Sequence, residues 1–351
     1  MRVNEERNSA FELLRLVAQY MIVVYHIILF WYLKNEASLT PEIHKAICIP
    51  LHIGVILYVL ISGYFGIRFS LKGVIKIIAN LFLYGFIFTV IGHLWLGDHF
   101  GPSKFFFVSN SPFWFVNVYL MLYMLAPLLN VVINRLSNNN RLLLLLLLLL
   151  WASGYVGLLG FDDSLHAGKN LLNFILVYLI GNTLSIHKER LNIVPLWKII
   201  TAYIVVNVMS ISMYLLAVGS PIEELSYDIA FRYNSPLLML NAVLFFIPFM
   251  RMKFHSKVIN YLAGSCFAIY LIHSSNLFLR HPIRWSVMEI QSFTSDILAS
   301  MGLVMLLSAV ICLIAIGIDK LMFPYWEGTS KLTDYLNKTK IGNLAREWAN
   351  L

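Results

Sequence analysis

The sequence predicts an all-α, polytopic transmembrane helix bundle of about ten spans with both termini cytoplasmic. Three observations carry this expectation. First, 59% of the 351 residues are hydrophobic and only 13% are charged, whereas a soluble domain carries about a quarter charged residues. Second, the apolar residues come in blocks long enough to cross a bilayer. Third, Lys and Arg gather in alternate connections between those blocks, as the positive-inside bias requires.

In order, the blocks run Phe11 to Leu33, Ala46 to Phe65, Val74 to Leu96, Phe113 to Ile133, Leu142 to Gly160, Leu171 to Ile186, Ile199 to Val218, Leu237 to Met250, Val258 to Leu279 and Ile297 to Phe323. Pro236 and Pro248 bound the eighth, which is expected either to begin earlier, near Ile229, or to run as a broken helix. Of the 26 Lys and Arg, only Lys34, Lys45, Lys104, Lys169, Arg232, Arg280 and Arg284 fall on the outer side of this arrangement. Every inner connection holds at least two, so an even number of spans follows. Trp31, Trp95, Trp114 and Trp197 stand at or near block ends, where aromatic rings seat at lipid interfaces. The leucines from Leu142 to Leu150 read as lipid-facing filler. Residues 1–323 therefore form one transmembrane domain. Residues 324–351 make a short cytoplasmic tail, too small for a second domain.

Several function classes are excluded at this level. The formal charge of +8 is spread in short groups between apolar blocks, which fits membrane orientation rather than nucleic-acid binding. Cys48, Cys266 and Cys312 offer neither a disulfide framework nor zinc-ribbon spacing. No H-E-x-x-H pair points to a metal, and no G-x-S-x-G elbow, P-loop or G-x-G-x-x-G turn occurs. The first block is too long for a signal h-region and lacks a small-residue cleavage pattern, so it is expected to remain as an uncleaved helix.

That first block also holds Arg15 and His26. A charged residue at membrane depth costs about 2.5 to 3.5 kcal/mol on insertion scales, so an intramembrane Arg marks a functional site by default. Eleven helical residues amount to about three turns plus 20°, which puts both side chains on nearly one face, roughly 16 Å apart along the axis. Glu12, three residues before Arg15, is placed for an ion pair that eases the cost of the buried charge. Neutral imidazole at His26 has the chemistry of a general base near neutral pH. The competing readings are an interfacial, snorkelling Arg15 and a His26 that merely hydrogen-bonds between helices. His52 and His93 are expected to be satisfied interhelical histidines.

The stretch Phe11-Glu12-Leu13-Leu14-Arg15, with His26 following in the same span, resembles the opening of the acyltransferase family 3 membrane proteins. Tyr261 to His273, in which Ser265 precedes Tyr270-Leu-Ile-His273, looks like the same family's penultimate-span signature. Ser62-Gly63-Tyr64 resembles the segment closing its second span, and Pro112-Phe113-Trp114-Phe115 with Tyr119 and Tyr123 resembles its aromatic fourth-span entry. In place of the Arg-x-x-Arg cluster many members carry before the third span, Arg68, Lys72 and Lys76 recur every four residues. They read as one basic helical stripe, suited either to topology signalling or to the phosphates of an anionic cofactor.

The resemblance implies an O-acyltransferase of the inner, cytoplasmic membrane that takes an acyl group from acetyl-CoA and places it on a hydroxyl of a surface glycan or its lipid-linked precursor. Arg15, Arg68, Lys72 and Lys76 would meet the donor, His26 would take the acceptor's proton, and Glu12 would orient Arg15. Ser265, Tyr270, His273, Trp114 and Tyr123 are candidates for substrate contact or support. Direct transfer and a covalent intermediate on Ser265 or His26 both remain open. No metal is expected. A separate extracytoplasmic transferase is a candidate partner. The alternative is a non-enzymatic exporter of a polysaccharide or lipid-linked intermediate, since a polar intramembrane face also lines transport pathways.

Overall fold

The computed structural model describes residues 8–29, 41–97, 113–152, 166–275, 282–294 and 296–351. Trp31, Lys34, Lys104, Pro112 and Arg280 lie outside the described residues, as does the end of the ninth block. Among the described residues the protein is helical throughout, without strands. Seven helical stretches are long and apolar enough to cross a membrane: Ser9–Ile27, Pro41–Phe65, Leu71–Trp95, Trp114–Arg135, Leu196–Ala217, Glu223–Arg251 and Ile297–Leu321. Asn138–Ala152 and Leu171–Ile186 are apolar but shorter.

The eighth block begins earlier than its apolar core, as α10 (Glu223–Phe231) followed by α11 (Pro236–Arg251) in the numbering used below. Ser235 caps α11 by accepting from the Leu238 amide, and Pro236 occupies the first turn, where a missing N–H costs nothing. The ninth block departs from the expected continuous helix. It divides into α12 (Lys257–Ala263) and α13 (Cys266–His273), with Gly264 and Ser265 in a turn.

Numbered in chain order, the elements before these are α1 (Ser9–Ile27), α2 (Pro41–Cys48), α3 (Gly54–Phe65), α4 (Leu71–Leu96), α5 (Trp114–Arg135), α6 (Asn138–Leu148), α7 (Leu171–Ile186), α8 (Lys188–Ile193) and α9 (Leu196–Ala217). After α13 come α14 (Pro282–Phe293), α15 (Ile297–Leu321), α16 (Phe323–Leu336) and α17 (Lys340–Ala349). The chain forms two compact units. One comprises Met1–Phe65, Leu145–Gly168 and Leu176–Cys266, the other Gly66–Leu144, Lys169–Ile175 and Phe267–Leu351.

In the first unit α1 packs against α3, α11 and α12. Close approach of backbones explains the small residues there. A Cβ at Gly54 would stand 2.8 Å from the Ala18 carbonyl on α1, and one at Gly63 would stand 2.1 Å from the Tyr178 carbonyl on α7. Small residues at such crossings are how helices associate in a medium as apolar as their side chains. Asn207 on α9 and Asn241 on α11 exchange reciprocal amide hydrogen bonds of 2.8 and 2.9 Å, both side chains buried.

In the second unit the Tyr84 hydroxyl on α4 donates to Asp319 Oδ1 on α15 at 2.8 Å. The segment after α15 is helical and folds back. Tyr325 donates to the Ala79 carbonyl on α4, and the Trp348 indole donates to the Met124 carbonyl on α5, each at 2.9 Å. Burial of Tyr325 against α4 raises its phenol pKa. Leu142, Leu143, Leu146, Leu147 and Leu150 are exposed, as are Ile200, Ile204, Val205 and Val208 on α9. Apolar surface on this scale fits lipid as the surrounding medium.

Candidate functional site

The N-terminal end of α1 is built as a fixed platform. Asn8 caps the helix, its Oδ1 accepting from the Ala10 amide at 3.1 Å, while its Nδ2 donates to the Met252 carbonyl at 2.9 Å. The Ser9 amide donates to Phe254 O at 2.9 Å, Ser9 Oγ donates to Asn260 Oδ1 at 2.8 Å, and the Ser256 amide donates back to Ser9 Oγ. Phe11 packs against Tyr64, Phe65 and Phe246, with ring centroids 5.1, 4.7 and 5.8 Å away. One turn into the membrane segment the first polar pair of the site therefore starts from a fixed base.

Glu12 is buried, and its Oε2 lies 3.3 Å from Arg15 Nη1. About a third of the Arg15 side chain is exposed, so the guanidinium is held by Glu12 while part of the side chain stays accessible. The Tyr58 hydroxyl on α3 donates to the Arg15 carbonyl at 2.9 Å and lies 3.3 Å from Gln19 Oε1. Cys266, beside Ser265, is buried as well. Ser265 itself is fully buried in the turn between α12 and α13. Glu12, Arg15, Gln19 and Tyr58 thus form one connected polar cluster. Neither Gln19 nor Tyr58 stood among the sequence candidates. Gln19 was recoverable, since it lies four residues after Arg15 and seven before His26, on the same helical face.

His26 lies two turns beyond Gln19 on α1 and is half-buried, its ring centroid 5.7 Å from that of Tyr25. Tyr25 in turn packs on His52, at 4.7 Å, and His52 stacks on Tyr233 at 4.4 Å. His52 Nε2 donates to the Phe231 carbonyl at 2.7 Å, which makes it a satisfied interhelical histidine as the sequence suggested.

The remaining candidates belong to the second unit. Lys72 and Lys76 are exposed on the first turns of α4. Arg68 is exposed too, but it is not on that helix, which corrects the expected three-residue helical stripe. Ser70, with extended backbone, caps α4 by accepting from the Gly73 amide, so the helix starts after Arg68. Tyr123 supports this loop. Its hydroxyl donates to the Arg68 carbonyl and lies 3.2 Å from both the Ser70 amide nitrogen and Ser70 Oγ. Asn130, also on α5, donates to the Ile67 carbonyl at 2.9 Å.

Trp114 sits in an aromatic group with Phe115 and Phe174, and Lys169 Nζ lies 5.6 Å from its ring centre. Tyr270 is edge-on to Phe113 and Phe115. His273 is buried, with Nδ1 donating to the Ile269 carbonyl at 2.7 Å, which leaves Nε2 to accept from Ser274 Oγ at 3.3 Å. Among the described residues there is no His, Cys, Asp and Glu group of metal-holding size.

A family model described as an acyltransferase domain, of the acyltransferase 3 type, matches residues 8–318. No curated protein and no solved structure matches the chain.

Proposed function

Because the chain belongs to the acyltransferase 3 family, we propose that this membrane acyltransferase moves an acetyl or related acyl group from cytosolic acyl-CoA to a hydroxyl of a surface glycan or its lipid-linked precursor. The observation that carries this reading is the arrangement along α1. A guanidinium fixed by Glu12 and by the Tyr58 contact to its backbone stands on the same face as His26. The two are separated by roughly 16 Å of helix, an interval suited to a long extended donor.

In this proposal the inner membrane holds the bundle with both termini cytoplasmic. CoA phosphates meet Arg15. Arg presents a planar fork to an anion where Lys would offer a point charge, so Arg15 sets the donor's orientation. His26 removes the acceptor hydroxyl's proton as its oxygen attacks the thioester carbonyl. The new C–O bond forms, the C–S bond breaks, and the proton passes from His26 to the departing thiolate. Glu12 keeps the guanidinium in register. The buried Ser265 is the residue through which a covalent step would act.

The test compares surface glycan from otherwise identical cells with and without the protein. Loss of ester per sugar with polymer amount kept supports transfer. Loss of polymer with ester per sugar unchanged supports the exporter reading instead.

A further inference from the structure

Gln19 is 1% exposed, and its Nε2 is buried without a hydrogen-bond partner among the described residues. Its Oε1 lies against the Tyr58 hydroxyl. If the carboxamide is turned over, its nitrogen meets Tyr58 and its oxygen is left over, since the two orientations are assigned from the network. Either way one end of a primary amide points unpaired into a region where water is scarce. An unmet buried polar group is unfavourable, and such groups in native proteins repay a search for the ligand that completes them.

Position supplies the ligand's chemistry. Gln19 stands about 6 Å beyond Arg15 and about 10 Å short of His26 along the axis of α1, within roughly 40° of both in azimuth. A donor lying along this face, with phosphates towards Arg15 and thioester towards His26, brings its pantetheine arm past Gln19. That arm carries two secondary amides. Each needs a hydrogen-bond partner inside the membrane, where leaving it unpaired costs more than in water.

We propose that Gln19, held by Tyr58, hydrogen-bonds an amide of the pantetheine arm and thereby sets how far the donor reaches along α1. This inference rests on the acyl-CoA reading above. It adds a donor-positioning residue that composition and family resemblance did not single out. A carboxamide suits the task because it offers both a donor and an acceptor to a group that has both.

The test uses the full-length protein in nanodiscs and two donors, acetyl-CoA and S-ethyl thioacetate, which has a thioester but no amides. For Gln19→Met, of similar length but without the amide, KM for acetyl-CoA is expected to rise about tenfold, the scale of one buried hydrogen bond, with a smaller change in kcat. The loss of kcat/KM on the amide-free donor is expected to be several-fold smaller. Equal losses on both donors, or an unchanged KM for acetyl-CoA, overturn the proposal. Where Gln19→Met fails to accumulate, Tyr58→Phe releases the carboxamide and is read with the same two donors and the same criteria. A wild-type protein that accepts acyl groups only from a donor other than acyl-CoA overturns the donor reading itself, and is told apart because it shows before any variant is made.

Discussion

The Tyr58 hydroxyl on α3 donates to the Arg15 carbonyl on α1 at 2.9 Å. A helix-interior carbonyl already accepts from its own helix, so this second bond ties two membrane segments together at the level of the buried charge. Gly54 on α3, against the Ala18 carbonyl, lets the helices come close enough for it to form. The Glu12–Arg15 pair therefore sits where α1 is held from outside as well as from its own end.

Arg15→Lys keeps the charge and removes the planar fork. Acyl transfer is expected to fall about 10- to 100-fold, the range for a charge-assisted hydrogen bond, with protein level in the membrane unchanged. Transfer assays beside quantitative immunoblots of the membrane fraction check this. Full activity in both Arg15→Lys and Arg15→Gln would make the residue an interfacial anchor.

Glu12→Gln leaves Arg15 with a weaker neighbour of the same shape. Activity is expected to drop by about tenfold, less than for Arg15→Gln, because the guanidinium remains present but less well oriented. Double-mutant analysis with Arg15→Gln should show strong non-additivity, since the two residues act as a unit. Additive losses would separate Glu12 from Arg15.

Gly63→Ala places a methyl carbon 2.1 Å from the Tyr178 carbonyl, whereas a Cβ at Gly302 on α15 meets nothing within 4 Å. The first is expected to destabilise by about 1 to 3 kcal/mol or more, as overpacking does. Gly302→Ala should be neutral or slightly stabilising by helix propensity. Thermal unfolding in detergent distinguishes them, and equal transition temperatures would contradict the α3–α7 contact.

The proposed topology makes single cysteines at the exposed positions Asn138 and His255 inaccessible to impermeant thiol reagents in intact cells, while one at Glu224 reacts. The basis is the one-sided distribution of Lys and Arg. Labelling of all three from outside would contradict the N-in arrangement.

Much of this was legible in the chain because membrane segments announce themselves through length and composition. Glu12, Arg15 and His26 stood out for being polar where polarity is costly. Gln19 carries the same spacing signal but no charge, so it does not stand out in the sequence as an intramembrane Arg does. Tyr58 had no local signal, since its role depends on how close Gly54 lets α3 approach α1. Arg68 was misplaced because its four-residue interval to Lys72 imitates a helix. The capping geometry of Ser70 decided otherwise, and a Ser just before the apolar run is a start signal in its own right. The break at Gly264 separates two short helices that an apolar-block reading joins.

The role of His26 is tested most directly by substitution with glutamine, which is close in size and still hydrogen-bonds but cannot act as a general base. A base contributes about 10² to 10⁴-fold to rate, so a His26→Gln strain should lose nearly all ester per sugar. Protein level, donor binding and total surface polymer should persist. The measurement is ester content per sugar and total polymer in that one strain. Normal ester content would remove His26 from the chemistry, and lost polymer with normal ester per sugar would contradict transfer in favour of export.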